Sequence, residues 1–402
     1  MSTPATTTRQ YYMDCLRVLA ILTIFVFHST RFFDRQDWHV KNAQTYFGVE
    51  VWSGFLASWG MPFIFAISGA SAFYALEKRG PRDFVKDRTL RLFVPLLVGV
   101  FTHSALQVYL DRLTHGQFHG SFWEFLPHYF DGFWAFGGNF AWQGMRLWYL
   151  EALFLFSLLF LPLLWWLKRG SGASLLGWLG TRLARPGAAY LLALPVMLVA
   201  AMLDPTTFVG SRGWAGWSLA AHGGFFLCGF VLASNEVLQA RLTHARWISI
   251  TAGMVLFLVL GAMLMGAGKF DFATARRPAF FALFGLNAWC WILAIWGFGR
   301  KFLNAGTQSL WYANEAVLPF YVMHQTVLLC VGYFVVGWAI PDLLKWAVIS
   351  AVSLAIIVIV YASLVRRSNV LRILFGMKPL PRKSGPLDGV VDLRSGATTA
   401  AR

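Results

Sequence analysis

The first long apolar segment of the sequence carries three ionisable side chains whose spacing would allow them to act in one catalytic site. Arg17 and His28 are eleven residues apart in YYMDCLRVLAILTIFVFHSTRFF, and Asp14 precedes Arg17 by three positions. At about 100° per residue, eleven steps return to within about 20° of the starting direction, so Arg17 and His28 share one helix face. They are separated by roughly 16 Å along the helix axis. Asp14 is one turn from Arg17 and can pair with it.

The imidazole of His28 can take up and return a proton because histidine titrates near neutral pH. It can activate an acceptor hydroxyl as a general base, or it can carry an acyl group as an acyl-imidazole. The sequence leaves both roles open. Arg17 stays protonated and cannot act as a base, but it can hold phosphates or fix the electrostatics of a site. The alternative is that Arg17 extends to the inner headgroups and that His28 is an interfacial residue.

Two more ionisable residues within apolar segments are candidates for the same site. Glu151 can orient His28 or bind a sugar hydroxyl. Alternatively, its carboxylate forms an ion pair with Arg146 and has no role in the site. His324 can line the site, or it can form a hydrogen bond between helices. Because ionisable side chains are costly inside a membrane, we count Glu151 and His324 with His28 and Arg17 as catalytic candidates.

A basic stretch follows the second apolar segment. Arg88 and Arg91 are three residues apart, and the other basic residues of this stretch are Lys78, Arg79, Arg82 and Lys86. Such a cluster can hold the phosphates of coenzyme A, so Arg88, Arg91 and Arg17 are candidates for binding it. The alternative is that any inner loop at this position is basic, as the positive-inside rule requires.

The aromatic segment around residues 115–142 raises two further possibilities. His115 and His119 have the i,i+4 spacing of a zinc pair, but no Glu lies between them. Gly116 and Gly120 disfavour a stable helix there, so we expect no metal site. The Trp and Phe residues of 122–142 fit an interfacial belt, with a sugar-stacking platform as the alternative.

The composition indicates that these residues are carried by a membrane-spanning scaffold. The chain has 402 residues, of which 57% are hydrophobic and only 13% charged, against roughly 25% charged in soluble proteins. This excludes disorder, a collagen-like fibre, a disulfide scaffold and a soluble enzyme. The net charge of +16 is distributed between apolar runs and the tail. We therefore expect contacts with membrane phospholipid and no binding of nucleic acid.

The apolar runs predict an all-α, polytopic transmembrane bundle of about ten helices. A bilayer core of about 30 Å needs about 20 apolar residues per helix. The predicted helices lie near 13–33, 49–76, 92–110, 147–167, 188–203, 215–234, 247–266, 278–299, 310–336 and 343–365. With the N-terminus inside, 23 Lys and Arg residues fall in inside segments and 10 in outside segments. This asymmetry predicts cytoplasmic N- and C-termini.

The chain divides into three regions on this scheme. Residues 1–12 form a cytoplasmic N-terminal segment, 13–365 the transmembrane domain and 366–402 a basic cytoplasmic tail. The end of the tail, from about residue 378, is rich in Pro, Gly, Ser and charge, which predicts disorder. The longest outside loop, 111–146, is too aromatic for a free linker, so we expect it to fold back onto the outer face.

Several segments in this order resemble the membrane acyltransferase 3 family, which includes O-antigen acetyltransferases and a glucan-modifying succinyltransferase. The pattern from Arg17 to His28 is similar to the family's Arg-x10-His start. Similar segments further along are MPFIFAISGASAFYALEKRG, FVKDRTLRLFVPLLVG, RLWYLEALFLFSLLF and LPFYVMHQTVLL. The resemblance spans roughly residues 11–365, and WHVKN at 38–42 is similar to a subgroup near the glucan-modifying branch. One departure is Arg146, where a histidine would be expected.

The resemblance implies an integral O-acyltransferase of the bacterial inner membrane. It implies transfer of an acetyl, succinyl or similar group from cytoplasmic acyl-CoA to a hydroxyl of a glycan or lipid-linked saccharide. The donor would enter from the side of Arg88 and Arg91, and the acyl group would reach His28. The rival class is a secondary transporter or flippase that uses the intramembrane Arg, His and Glu as a substrate or proton path. A sensor or scaffold would leave Arg17 and His28 unexplained.

Overall fold

The computed structural model describes residues 10–207, 210–266 and 276–380. Within these ranges, β pairing is limited to two isolated bridges, Phe133 with Phe140 and Trp214 with Trp217. The rest of the regular structure is helical, which confirms the all-α prediction.

The α-helices of these ranges are α1 (Tyr11–Thr30), α2 (Phe47–Lys78), α3 (Pro81–Arg88), α4 (Val94–Phe101), α5 (Ser104–Thr114), α6 (Phe122–Phe125), α7 (Trp148–Leu159), α8 (Leu161–Leu167), α9 (Gly170–Leu183), α10 (Ala193–Met202), α11 (Leu219–Ala233), α12 (Glu236–Gly266), α13 (Arg276–Phe302), α14 (Gln308–Val335), α15 (Asp342–Val360) and α16 (Asn369–Leu374).

Short segments of other helix types join several of these helices. Two π-helical segments, Thr89–Phe93 and Tyr361–Val365, continue α3 into α4 and extend α15. The 3₁₀ segments are Leu126–Phe130, Trp134–Phe136, Met145–Leu147 and Ala188–Leu192.

All ten predicted apolar segments are helical, but they differ in length and straightness. Six helices among the described residues are long and apolar enough to cross a membrane: Tyr11–Thr30, Phe47–Lys78, Glu236–Met265, Arg277–Phe302, Gln308–Val335 and Asp342–Val365. Two shorter apolar helices are Ala188–Met202 and Leu219–Ala233. The count of about ten spans and the cytoplasmic position of both termini stay predictions.

The remaining two predicted segments are helix pairs with a sharp bend. Pro81–Phe101 and Ser104–Thr114 meet at 44°, and Met145–Leu159 and Leu161–Leu167 meet at 56°. In the second pair, Pro162 lies in the first turn of α8. Proline lacks the amide donor that would continue α7, so the chain bends there. Counting each pair as one span gives eight candidate spans among the described residues.

Helices α2 and α11 cross in direct backbone contact. A Cβ atom at Gly69 would lie 1.8 Å from the carbonyl oxygen of Phe226, and one at Gly229 would lie 1.8 Å from that of Ala66. Neither position has room for a side chain. Small residues therefore set the distance between these two helices, as they do in many membrane bundles.

The loop that contains residues 111–146 folds back onto the helices, as its aromatic content predicts. Ser121 caps α6 and forms a capping box with Glu124. Phe125 and Tyr129 pack with residues of α5 in a small apolar cluster of their own. The hydroxyl of Tyr129 donates to the carbonyl oxygen of Val100 at 2.8 Å. We call this end of the bundle, which also carries residues 31–46, the outer end, following the predicted orientation.

The beginning of the predicted tail is folded against the bundle. Arg372 of α16 is buried and donates to Glu315 of α14 at 2.7 Å. Arg366 binds the same carboxylate at 3.3 Å. Residues 369–374, which the sequence assigned to the tail, therefore pack as a helix of the body. Disorder was predicted from about residue 378, but the backbone at Lys378 and Leu380 forms hydrogen bonds with Arg372 and Asn369. The rest of the tail, from residue 381 on, lies outside the described residues, as do 1–9.

Candidate active site

His28 of α1 and His324 of α14 face each other inside the bundle. Their ring centroids are 5.3 Å apart, and the two residues are only 6% and 2% exposed. Nδ1 of His324 donates to the carbonyl oxygen of Tyr321 at 2.5 Å, so a neutral ring presents a lone pair at Nε2. This Nε2 and Nδ1 of His28 are buried, with no hydrogen-bond partner among the described residues. Two of the predicted catalytic candidates thus lie together.

Arg17 is held between α1 and α2. Its Nη1 donates to Oδ1 of Asp14 at 2.8 Å, which is the pair that the spacing predicts. Its Nη2 donates to Oγ of Ser71 on α2 at 2.7 Å. The guanidinium is therefore directed toward a neighbouring helix and not only toward the headgroup region.

Arg88 brings a second cation close to Arg17. The guanidinium of Arg88 interacts electrostatically with Arg91, with the carboxylate of Asp87 and with the hydroxyl of Tyr149. It also interacts with Arg17. Its Cζ lies 4.7 Å from the ring centroid of Phe84. Its Nε is buried and has no hydrogen-bond partner in the described ranges. Clustered guanidinium groups of this kind suit a phosphate, because each can donate two parallel hydrogen bonds.

Two tyrosines lie between these arginines and the two histidines. The hydroxyl of Tyr149 and Oγ of Ser68 are 2.7 Å apart. The ring of Tyr149 lies 5.5 Å from that of Tyr321, which in turn lies 5.5 Å from His324. We use the name polar row for the six residues Arg17, Arg88, Tyr149, Tyr321, His324 and His28. The polar row joins the level of Arg17, near the inner end of α1, to the level of His28.

Arg146 lies at the outer end of the polar row. Its backbone oxygen accepts a hydrogen bond from the hydroxyl of Tyr321 at 2.5 Å. Its guanidinium interacts electrostatically with His28, His39 and His324. It also interacts with the guanidinium of Arg31 and, beyond ion-pair distance, with the carboxylate of Asp111. Within the described ranges it forms no ion pair with a carboxylate. Although the family pattern led us to expect a histidine here, this cation is positioned among three imidazoles, where it can stabilise an oxyanion.

The loop after α1 covers His28. The indole of Trp38 stacks on the His28 ring with centroids 6.0 Å apart and planes within 4°. Asp34 is fully buried at the centre of this loop, where it pairs with Arg31 and, at 2.9 Å, with Lys41. The buried ion cluster fixes the loop, and therefore the position of Trp38 over His28.

His39 of the same loop forms a pair with Asp111 of α5. Nδ1 of His39 lies 2.6 Å from Oδ1 of Asp111, so Nδ1 carries the proton and Nε2 the lone pair. Nε2 is buried without a partner in the described part of the chain. Burial lowers the pKa of His39 below its ordinary value, and the hydrogen bond to Asp111 opposes that shift. No spacing in the sequence indicates His39 or Asp111 as site residues, although His39 lies in the segment WHVKN.

A cavity of about 240 Å³ opens beside His39 at the outer end. Four tryptophans line it together with His39 and Arg146. They are Trp134, Trp142, Trp148 and Trp214. With Gln143, the cavity combines apolar rings with three polar side chains, the usual composition of a small-molecule site.

Glu151 is apart from this arrangement. Among the described residues, no hydrogen bond or ion pair joins it to His28 or to Arg146, and its Oε2 is buried without a partner. Neither the expected orientation of His28 nor the alternative pair with Arg146 is formed. The residue of this helix that belongs to the polar row is Tyr149, two positions before Glu151.

His115 makes two polar contacts outside the membrane-spanning segments. Its Nδ1 donates to the backbone oxygen of Asp111 at 2.7 Å, and its Nε2 lies 3.1 Å from Oδ1 of Asp37. The hydrogen bond to Asp37 raises the pKa of His115, because only the protonated ring donates at both nitrogens. In the ranges that the structure covers, no group of three or more His, Cys, Asp or Glu side chains has the geometry of a metal site.

Comparisons with known proteins agree with the resemblance seen in the sequence. A family model described as an acyltransferase domain matches residues 10–362. Glucans biosynthesis protein C of Escherichia coli strain K12 is 25% identical over 97 residues, which are 24% of this chain and 25% of that protein. The proteins of the same name in strains SMS-3-5 / SECEC and O1:K1 / APEC give the same values. The match therefore spans about a quarter of the length of these curated relatives. No solved structure matches the chain significantly.

Proposed function

The chain belongs to the family described as the acyltransferase domain, and on that premise we propose that it is an integral membrane O-acyltransferase. It moves an acetyl, succinyl or similar group from cytoplasmic acyl-CoA to a hydroxyl of a glycan or lipid-linked saccharide. The membrane is the bacterial inner membrane. The family match gives no support to the alternative of a secondary transporter or flippase.

The observation that carries this proposal is the polar row. At its inner end, Arg17 and Arg88 form a cationic pair suited to the phosphates of coenzyme A. At its other end are two buried imidazoles with unpartnered nitrogens, His28 and His324. Arg17 and His28 are separated by roughly 16 Å along α1, a distance comparable to the length of a pantetheine arm. A donor bound at the arginines can therefore extend its thioester to His28.

The reaction is the replacement of a thioester by an ester. A hydroxyl of the acceptor loses its proton to a base, its oxygen bonds to the acyl carbon, and the bond from that carbon to sulfur breaks. His28 either takes the hydroxyl proton or first carries the acyl group on a ring nitrogen. Arg146 stabilises the negative oxygen of the tetrahedral intermediate, since its guanidinium lies among the imidazoles.

We infer a glucan-like saccharide as the acceptor. The relatives named glucans biosynthesis protein C match the chain over only a quarter of their length, so their name guides the choice of substrates to test. The aromatic cavity beside His39 is the feature of this chain that agrees with a sugar.

The test is release of coenzyme A by the purified protein in lipid, with a panel of short acyl-CoAs and a glucose oligosaccharide. The wild type is compared with His28→Ala and with a matched control, His119→Ala, at an exposed histidine of the outer loop. Release that is lost only in His28→Ala supports the proposal and identifies the donor. Release that His28→Ala retains, or no release with any donor, contradicts it.

A further inference from the structure

The cavity beside His39 has walls that suit one sugar ring. Its volume of about 240 Å³ is below the roughly 300–1,000 Å³ typical of sites for drug-sized ligands, which limits the occupant to a small ring. Trp148 and Trp214 contact each other on one side, with ring centroids 5.3 Å apart. Pyranose rings expose apolar C–H faces that pack on indoles, and their hydroxyls need polar partners at the edges.

Trp134, another residue that lines the cavity, is held by cation and ring contacts. The guanidinium of Arg112 lies 4.6 Å from the ring centroid of Trp134 and also donates to Asn139 at 2.8 Å. The Trp134 ring lies 6.5 Å from that of His39. Indoles of an interfacial belt face lipid headgroups, whereas Trp134 and Trp142 here line a concave site together with His39. This arrangement favours the sugar-stacking alternative for these two residues.

His39 is arranged as a base at the wall of this cavity. Asp111 accepts the Nδ1 hydrogen at 2.6 Å, so the lone pair is on Nε2. The hydroxyl of Thr114 donates to the backbone oxygen of His39 at 2.5 Å, which fixes the backbone beside the ring. His39 is only 6% exposed, and its Nε2 has no hydrogen-bond partner among the described residues. In many enzymes, a carboxylate orients an imidazole in this way so that the free ring nitrogen can take a proton from a hydroxyl.

From these contacts we infer that the cavity is the acceptor-saccharide subsite and that His39 is the catalytic base for the acceptor hydroxyl. This inference rests on the proposed acyltransferase function and refines it. With His39 as the base, His28 has the second of its two proposed roles and first takes the acyl group on a ring nitrogen, while its ring proton goes to the thiolate, which leaves as coenzyme A. The acceptor hydroxyl then gives its proton to Nε2 of His39, and its oxygen bonds to the acyl carbon. The bond from that carbon to the His28 nitrogen breaks, and the proton passes from His39 back to His28. Asp111 acts through His39 as a positioning residue.

The first part of the test measures saccharide binding without any donor. The full-length protein in nanodiscs is titrated with a β-linked glucose hexasaccharide, and the intrinsic tryptophan fluorescence is followed. The variant Trp142→Ala removes a tryptophan that lines the cavity and is 40% exposed. The control is Trp123→Ala, which removes a 76% exposed tryptophan of the same loop that does not line the cavity. We expect a Kd about tenfold weaker for Trp142→Ala and an unchanged Kd for Trp123→Ala. Equal Kd values for the two variants, or no binding by the wild type, overturn the inference.

The second part separates the base from the binding walls. We expect His39→Gln to lower kcat for acyl transfer to the hexasaccharide by about 100-fold or more, with its Kd within threefold of the wild type. Asp111→Asn keeps a hydrogen bond but loses the charge, and we expect a smaller loss of kcat, about tenfold or more, again with an unchanged Kd. A merely structural role would change Kd and thermal stability together. A His39→Gln variant that keeps more than a third of kcat overturns the inference.

The two proposals fail in different ways. If the wild type transfers acyl groups but the cavity variants bind and react as the controls do, this inference fails and the acyltransferase proposal stands. If no donor gives transfer, the base role of His39 fails together with the acyltransferase proposal. In that case the hexasaccharide titration still decides whether the cavity is a saccharide site.

Discussion

The imidazole rings of His28 and His324 lie 5.3 Å apart, one on α1 and the other on α14. Nearly 300 residues of sequence separate them, so their proximity is a property of the fold. Both rings have a buried nitrogen without a partner among the described residues. Two such atoms at one point can form hydrogen bonds with a substrate that enters between the rings.

We predict that His28→Ala lowers kcat for acyl transfer by about 1,000-fold, because the variant has no ring nitrogen to carry the acyl group or to exchange its proton. His324→Ala is expected to cost less, since its Nδ1 is already used by the backbone of Tyr321. The measurement is coenzyme A release by each purified variant. Because both residues are buried, either substitution could also destabilise the fold. The unfolding temperature of each variant is therefore measured, and the comparison holds when it is close to that of the wild type. A His28→Ala variant with wild-type kcat contradicts the prediction.

We expect Arg88 to contribute to the binding of the acyl-CoA donor and not to the binding of the saccharide acceptor. Arg88→Ala and Arg91→Ala should each raise the KM for acyl-CoA by about tenfold, because each removes a cation near the phosphates, while the KM for the saccharide changes little. Arg82→Ala is the matched control, since Arg82 is an exposed arginine of the same basic stretch. Equal effects of Arg88→Ala on both KM values would exclude the assignment.

The crossing of α2 and α11 predicts a stability effect at one glycine. Gly69→Ala forces a Cβ to within 1.8 Å of the Phe226 oxygen unless the helices separate, so we expect a loss of about 2–3 kcal/mol, as for other overpacked sites. Gly60→Ala on the same helix is the control, because its Cβ meets nothing within 4 Å. Thermal unfolding in detergent measures both. If the two variants melt at the same temperature, the close crossing is wrong.

His115 predicts a dependence of stability on pH. Its pKa is raised by Asp37, so its contribution is complete below the ordinary histidine value of about 6.5 and is lost as the pH rises through the raised pKa. The hydrogen bond with His115 lowers the pKa of Asp37, so the partner carboxylate stays charged down to about pH 4. Wild type should exceed His115→Gln in thermal stability at about pH 5.5 but not at about pH 8.5. A difference that is the same at both pH values would refute this.

The apolar runs predicted the helices well because length and hydrophobicity decide which segments cross a bilayer. Every one of the ten segments is helical, and Arg17 pairs with Asp14 as the i,i+3 spacing requires. The straightness of each segment was not predictable in the same way. The bends at 44° and 56° depend on local breaks and on what each half packs against, which hydropathy does not encode.

The sequence could not predict which side chains meet. Glu151 and Tyr149 are two positions apart on α7, but only Tyr149 contributes to the polar row, because the rotation of an evenly apolar helix is set by its neighbours. His39 and Asp111 are brought together by two loops, so no spacing rule relates them. For Arg146, the family pattern led us to expect a histidine. The fold instead positions its guanidinium near His28, His39 and His324.

The most direct test of the account is transfer across a sealed membrane. Proteoliposomes of uniform orientation are loaded with a glucose oligosaccharide, and labelled acyl-CoA is added only outside, on the side of Arg88. We predict that label appears as an ester on the enclosed saccharide and that His28→Ala abolishes this while His119→Ala does not. Label that reaches the saccharide only when both substrates are on the same side would contradict the account, as would uptake of unmodified saccharide without ester formation.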